Sequence, residues 1–427
     1  MENFAVISAS CAVRQEPLPR PVWSWIAILV CVCGCGGSKV NHSSIQRVCI
    51  PSHRDLPRDW QAPQSIRFPY TAKPWSALEQ RMSEVAVTKG FDEMVAFMDE
   101  RPSRVNALWD NSVEAFIDTA YAEPSSSGLA QRAITLARKH LFVLSGPYLG
   151  GESMSPSCVN VSEYLTLAVY ARTLQRRRAG DERLDELYIH LRDGANLALD
   201  DCRTIEGLLG FDPGVALSDS KAANGDVYGW VMWSVTLLDA LANPELRLPK
   251  GSARFVRDVW KYLSRYQVPV AKDYADGMNQ SDVYDAAYLM THIGYVPTGY
   301  GRHRLRVADA PWLYRYLRAN FYAAMQMGEL DLFAEFVDLL RQYGCTEEND
   351  AQLRHGTRYL LSLYRQAGDS WLAHREHYEP KEISDYDALH KPWTAIAGLR
   401  RRLFEPVDEA SYRAAFERVM ADEVDAR

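Results

Sequence analysis

Beyond Trp75 the apolar residues recur at three- and four-residue steps almost without interruption, which is the period of an amphipathic helix. Leu332, Phe333, Phe336, Val337, Leu340 and Tyr343 make one such stripe, and Gly344 after it supplies a C-terminal cap. The next stripe opens at Thr346, carries Glu347 and Glu348 in its first turn, continues through Leu353, Leu360, Leu361 and Tyr364, and breaks at Gly368. Similar stripes run through Leu129 to Leu144, Tyr164 to Leu174, Leu184 to Leu199, Val227 to Leu241, Phe255 to Tyr266 and Leu313 to Met327. Ser281 caps a further helix that Gly294 and Pro297 end. No stretch alternates with the period of two that a half-buried strand needs, so the pattern predicts an all-α chain.

Many amphipathic helices on short loops must each bury a stripe against neighbours, which leaves bundles, solenoids or closed rings of helical hairpins. A strict repeat is missing, and this disfavours a regular TPR-like or HEAT-like array. The segment from Tyr359 through Leu360, Leu361, Gln366, Gly368, Asp369 and Ser370 to Trp371 resembles the Leu-Leu…Gln…Asp-Gly-Ser-Trp signature of α/α-toroid proteins, the terpenoid cyclases and protein prenyltransferases. His390-Lys391-Pro392-Trp393-Thr394, followed by Ala395 to Leu399, looks like the next inner helix of such a ring. The resemblance covers about the last third of the chain and implies an α/α toroid over residues 75–427 as a single domain, with an irregular helical solenoid as the alternative. Gln366 and Trp371 are then expected to clamp a helix end to the next hairpin, by amide hydrogen bonds and ring packing.

The aspartate-rich signatures of the cyclases are absent, which disfavours terpene cyclisation. The prenyltransferases hold zinc through an Asp-x-Cys pair and a distant histidine; Asp200-Asp201-Cys202 contains the pair, but an acidic helix terminus with one buried cysteine accounts for it better.

At the other end of the chain, Val22 to Val32 is apolar apart from Ser24 and runs into Cys33-Gly34-Cys35-Gly36-Gly37-Ser38. The run falls well short of the roughly 20 residues that span a bilayer. It resembles a bacterial lipoprotein signal ending in a lipobox. That resemblance implies a leader over 1–35, lipid on Cys35 (or on Cys33), and an extracytoplasmic protein held at the cell envelope by its lipid. Residues 36–74 follow as a tether, since Pro51, Pro57, Pro63, Pro69 and Pro74 repeatedly deny the backbone its hydrogen bonds.

The 427 residues are 47% hydrophobic and 24% charged, the balance of a globular chain with a large core. A formal net charge of −7 argues against nucleic acid as a partner, and Arg176-Arg177-Arg178 and Arg400-Arg401-Arg402 read as helix surfaces before breaks. Four of the eight cysteines fall in the leader region, leaving Cys49, Cys158, Cys202 and Cys345 in the body. In an oxidising compartment they allow three full pairings, among which the sequence does not choose; unbonded buried thiols are the other reading.

The candidate chemistry centres on the helix from Ser281. Asp285, Tyr288 and His292 share one of its faces at steps of three and four, so a carboxylate, a phenol and an imidazole line up. Two turns, about 10 Å of rise, separate Asp285 from His292, so a ligand or another helix must join them. His390 is the natural partner: with Pro392 in a first helical turn, the imidazole is expected near a helix N-terminus, where the dipole favours its neutral form. Inner-helix ends of a toroid ring a cavity, so His292 and His390 are expected to face each other, with Asp285 or Asp387 completing an acid/base or metal set. The opposing reading makes His292 a satisfied histidine in a packed Tyr-rich core and His390 an N-terminal cap partner. His374 and His377, three apart, read as solvated surface. No GxSxG elbow, P-loop, Rossmann glycine fingerprint or HExxH helix is present.

Two function classes follow. In the favoured one the ring is a membrane-anchored binding or scaffold module with a central polar cavity, whose Trp230, Trp233, Trp312 and Trp393 are core or a recognition groove. In the other it is an acid/base or metal-assisted enzyme acting on a peptide or glycan through Asp285, Tyr288, His292 and His390. A glycan-active version needs two carboxylates across the cavity, for which Asp282, Asp285, Asp385 and Asp387 are available. The sequence specifies no cofactor and no metal.

Overall fold

Each apolar stripe becomes a helix whose buried face meets the next. The computed structural model describes residues 72–100, 109–149, 155–177, 180–219, 222–266, 268, 280–374, 383–400 and 406–421, and all of these fall in one compact unit. Among the described residues every regular element is helical and there is no strand. The chain is all-α, as its periodicity predicts. Cys33, Cys35, Cys49 and nearly all of the expected leader and tether lie outside the described residues.

Thirteen helices of twelve or more residues occur among the described residues. They are α1 (Ala77–Glu100), α2 (Trp109–Tyr121), α3 (Gly128–Leu149), α4 (Val161–Arg177), α5 (Glu182–Cys202), α6 (Asn224–Leu241), α7 (Ser252–Leu263), α8 (Gln280–Ile293), α9 (Pro311–Met327), α10 (Leu330–Gln342), α11 (Ala351–Gln366), α12 (Asp385–Leu399) and α13 (Pro406–Met420). None is long and apolar enough to cross a membrane.

The even-numbered helices from α2 to α12 contact one another in chain order, and α12 packs back on α2. The odd-numbered helices lie against them: α3 on α2 and α4, α5 on α4, α7 on α6, α9 on α8 and α10, α11 on α10 and α12. The last helix, α13, packs on α6 and α7, and the first, α1, packs on α11 and α12. Trp371 fastens that junction. It is fully buried, its indole Nε1 donates to Ala86 O at 2.8 Å, and its backbone N donates to a Glu93 carboxylate oxygen at 3.1 Å. Gln366, expected to share this clamp, is exposed instead.

Two helix starts differ from expectation. The segment after Gly344 begins at Ala351, because Thr346 N donates to Asn349 Oδ1 in a preceding turn and Asp350 supplies the cap, accepting from Leu353 N at 2.7 Å. Helix α12 begins at Asp385 under a Ser384 cap, so Pro392 lies inside the helix and His390 in its second turn, away from the N-terminal dipole.

Cys158 and Cys202 form a disulfide that ties the end of α5 to the start of α4. This removes the Asp-x-Cys zinc reading: the thiol is used in a covalent bond, Asp200 pairs with Arg247, and Asp201 accepts from the backbone N of Cys158. Cys345 is buried outside this disulfide, its Sγ accepting from Arg318 Nη2 at 3.0 Å.

Candidate functional site

Helix α10 is buried along its whole length, yet Asp331, Glu335, Asp338 and Gln342 recur on it at steps of four and three and so occupy one face. Asn111, Glu114 and Asp118 repeat the spacing on α2. A buried helix carries a polar stripe only if that stripe meets other polar groups or solvent. Here the stripes meet in a cavity lined by Asn111, Glu114 and Asp118 of α2, Tyr228 and Met232 of α6, His292 of α8 with Tyr295 and Tyr300 just after it, Glu335 and Asp338 of α10, and His390, Trp393, Thr394 and Ala397 of α12. A second cavity shares Glu114, Asp118 and Tyr300 with the first and continues to the buried Arg302–Asp239 ion pair.

The carboxyl groups in the main cavity divide into two kinds. Glu335 is held well above the ordinary carboxylate range, first by burial and then by the neighbouring negative charges of Asp331 and Asp338. The Thr291 hydroxyl lies within hydrogen-bond reach of both Tyr288 O, at 2.6 Å, and the Glu335 carboxyl. Hydrogen bonds from Thr291 and Tyr295 to this carboxyl act against the rise, which burial and the Asp331 and Asp338 charges outweigh. On α2, by contrast, Asp118 accepts from Trp393 Nε1 at 3.0 Å and Glu114 accepts from the Tyr170 hydroxyl at 3.3 Å.

Both expected histidines line this cavity. His292 Nδ1 lies 2.9 Å from Tyr288 O, which can only accept, so Nδ1 carries the proton and Nε2 presents a lone pair. Burial pushes His292 down to about 4. His390 is pushed down to about 3, by burial first and the adjacent His292 second. Its neutrality therefore comes from desolvation, in place of the helix dipole expected from the sequence. Asn111 Nδ2 approaches His390 Nε2 at 3.3 Å, Tyr386 stacks on the ring with centroids 3.7 Å apart, and Asp331 Oδ2 lies 4.0 Å from Nδ1.

Tyr288 hydrogen-bonds to the Tyr386 hydroxyl and packs on His292, with centroids 4.3 Å apart, beside the cavity lining. Asp285 does not join the group: it is exposed. Asp385 and Asp387 sit in the first turn of α12, Asp387 bonded to the Ser384 cap, and neither lines the cavity; the Asp282 and His377 side chains lie outside the described residues. The carboxylates that do line the cavity were missed because each stands inside an otherwise ordinary helical stripe. Their signal was the common four-and-three spacing on α2 and α10. Of the four tryptophans considered, Trp393 alone lines it; Trp230 packs on Tyr262 and Trp312 on Trp260. Among the described residues no three His, Cys, Asp or Glu side chains converge as metal ligands. No known protein family, curated protein or solved structure matches the chain.

Proposed function

We infer that the alternating helices form an α/α toroid and that its central cavity is an acid–base site for cleaving a glycosidic bond, in a protein anchored through lipid on Cys35 outside a bacterial membrane. The observation that carries the reading is the unequal surroundings of carboxyl groups sharing one cavity: burial and the charges of Asp331 and Asp338 raise Glu335, whereas Asp118 accepts from Trp393 Nε1 and Glu114 from the Tyr170 hydroxyl. Cleavage needs one carboxyl group protonated and another ionised at once. Glu335 gives its proton to the leaving oxygen as the bond from that oxygen to the sugar carbon breaks, and an α2 carboxylate takes a proton from the water whose oxygen bonds to that carbon. Tyr228, Tyr295 and Trp393 offer ring faces for sugar rings, and the neutral histidines accept from hydroxyl groups.

The ring reading rests on the packing of α12 against α2 and of α1 against α11 and α12. The extracytoplasmic reading is supported by the Cys158–Cys202 disulfide, a bond that persists in oxidising compartments. The same aromatic lining also suits a recognition module, which binds glycan without cleaving it. Release of new reducing ends from a panel of polysaccharides separates the two. The enzyme reading expects release by the wild type and its loss in Glu335→Gln and Asp118→Asn; binding with no release leaves the recognition module.

A further inference from the structure

A third cavity adjoins the second and shares Arg302 and Asp239 with it. Its lining gathers donors: Arg172, Thr173 and Arg176 reach it from the last two turns of α4, and His303 from the segment after α8. Arg172 and Arg176 stand one turn apart and so share a helix face. Arg302 is already spent. Its Nη2 donates to Asp239, its Nε to Gly299 O at 2.5 Å and its Nη1 to Thr173 Oγ1 at 3.1 Å, so the charges of that pair are closed on each other.

The other four groups keep something to give. Among the described residues the Arg176 guanidinium has no hydrogen bond and no ion pair. Arg172 donates Nη1 to the neutral Gln175 Oε1 at 2.8 Å, and its Nε has no hydrogen-bond partner. Glu245 lies 3.9 Å from Arg172 Nη2, beyond hydrogen-bond distance, and its other oxygen takes Arg192 Nη1 at 2.7 Å. Thr173, 5% exposed, accepts from Arg302, and its own hydroxyl proton has no acceptor among the described residues. His303, 3% exposed, has no hydrogen-bond partner at Nδ1. Burial first, then the positive charges of Arg302 and Arg176, hold this histidine well below its ordinary range, so it is a neutral imidazole with one N–H.

An arginine in the last turn of α4 complements the helix dipole, but that leaves the second guanidinium, the buried hydroxyl and the buried imidazole without a use. We propose that this cavity binds an oxyanion, a carboxylate or a phosphoryl group, through Arg172, Arg176, Thr173 and His303. The planar guanidinium fork matches either group in a bidentate pair. The second cavity leads from this wall to Glu114 and Asp118, so one source of the anion is an acidic unit of the glycan. That source rests on the glycan reading, while the oxyanion site stands on its own lining.

The test is calorimetry on the full wild-type chain with inorganic phosphate, glucuronate and glucose. Binding of at least one anion, at least tenfold tighter than glucose and weakened by added sodium chloride, is the expected result. The double variant Arg172→Gln/Arg176→Gln, checked for native circular dichroism, should bind that anion at least tenfold more weakly. Arg176 is exposed, so Arg176→Gln alone carries the test if the double variant does not fold, with weaker anion binding again expected. Tighter binding of glucuronate than of phosphate supports the site with a sugar acid as its source; tighter binding of phosphate supports it with a phosphoryl group and separates it from the glycan reading. No binding of either anion, glucose bound as tightly as both, or anion binding unchanged in the folded variant overturns the proposal, whatever the outcome of the polysaccharide panel.

Discussion

The indole nitrogen of Trp371 donates to the backbone oxygen of Ala86, joining the segment after α11 to the first helix across a sequence separation of 285 residues. Because the ring is fully buried, its loss leaves a cavity and removes the indole bond to Ala86 O. Trp371→Ala is expected to cost roughly 3 to 5 kcal/mol in urea unfolding. Gly90 tests the same junction from the other side. A Cβ there would lie 2.9 Å from Trp371 Cδ1, so Gly90→Ala should destabilise by about 1 to 3 kcal/mol through overpacking. A neutral outcome for both removes the closure from the account.

The Cys158–Cys202 disulfide spans 44 residues. Loop-closure entropy assigns it about 4 kcal/mol, so the double serine variant should unfold at correspondingly lower urea than the oxidised wild type. Mass spectrometry of a non-reduced digest of protein isolated from cells checks the bond itself. Free thiols at both positions would contradict the pairing.

Acid should weaken the fold through its buried histidines. The depression of His292 from 6.5 to about 4 means that the unfolded chain takes up the proton first. The stability from this group is present above pH 6.5 and is lost as the pH falls towards 4, a loss on the order of 3 kcal/mol. His292→Gln should flatten that part of the stability curve. Glu335 acts in the opposite sense: its carboxyl is raised, so its contribution is present below the ordinary carboxylate range and is lost as the pH rises through its folded value. Urea titrations of the wild type, His292→Gln and Glu335→Gln across this range separate the two.

Lipid on Cys35 is tested by metabolic labelling with a palmitate analogue. The wild type should carry the label and fractionate with membranes, and Cys35→Ser should lose both. A labelled Cys35→Ser protein would move the anchor to Cys33 or to another mode.

The sequence made the helices legible because nearly every one carries a long apolar stripe, and the Gly368-Asp369-Ser370-Trp371 segment marked a junction that Trp371 does secure. It also singled out His292 and His390, which line one cavity. It could not rank the acids. Asp285 and Glu335 both stand on helices at suitable spacing, but Asp285 is exposed while Glu335 is buried beside Asp331 and Asp338, a difference set by tertiary neighbours. Helix starts failed for a local reason: Asp350 and Ser384 outcompeted the more conspicuous Thr346 and Pro392 as start signals.

The proposed role of Glu335 as proton donor sets the pH dependence of cleavage. The most direct measurement is the pH dependence of kcat/KM for glycan cleavage by the wild type and Glu335→Gln. A bell is predicted for the wild type, with its alkaline limb set by loss of the Glu335 proton; Glu335→Gln should lack that limb and retain about a hundredth of the rate or less. An unchanged profile and rate in Glu335→Gln would contradict the assignment.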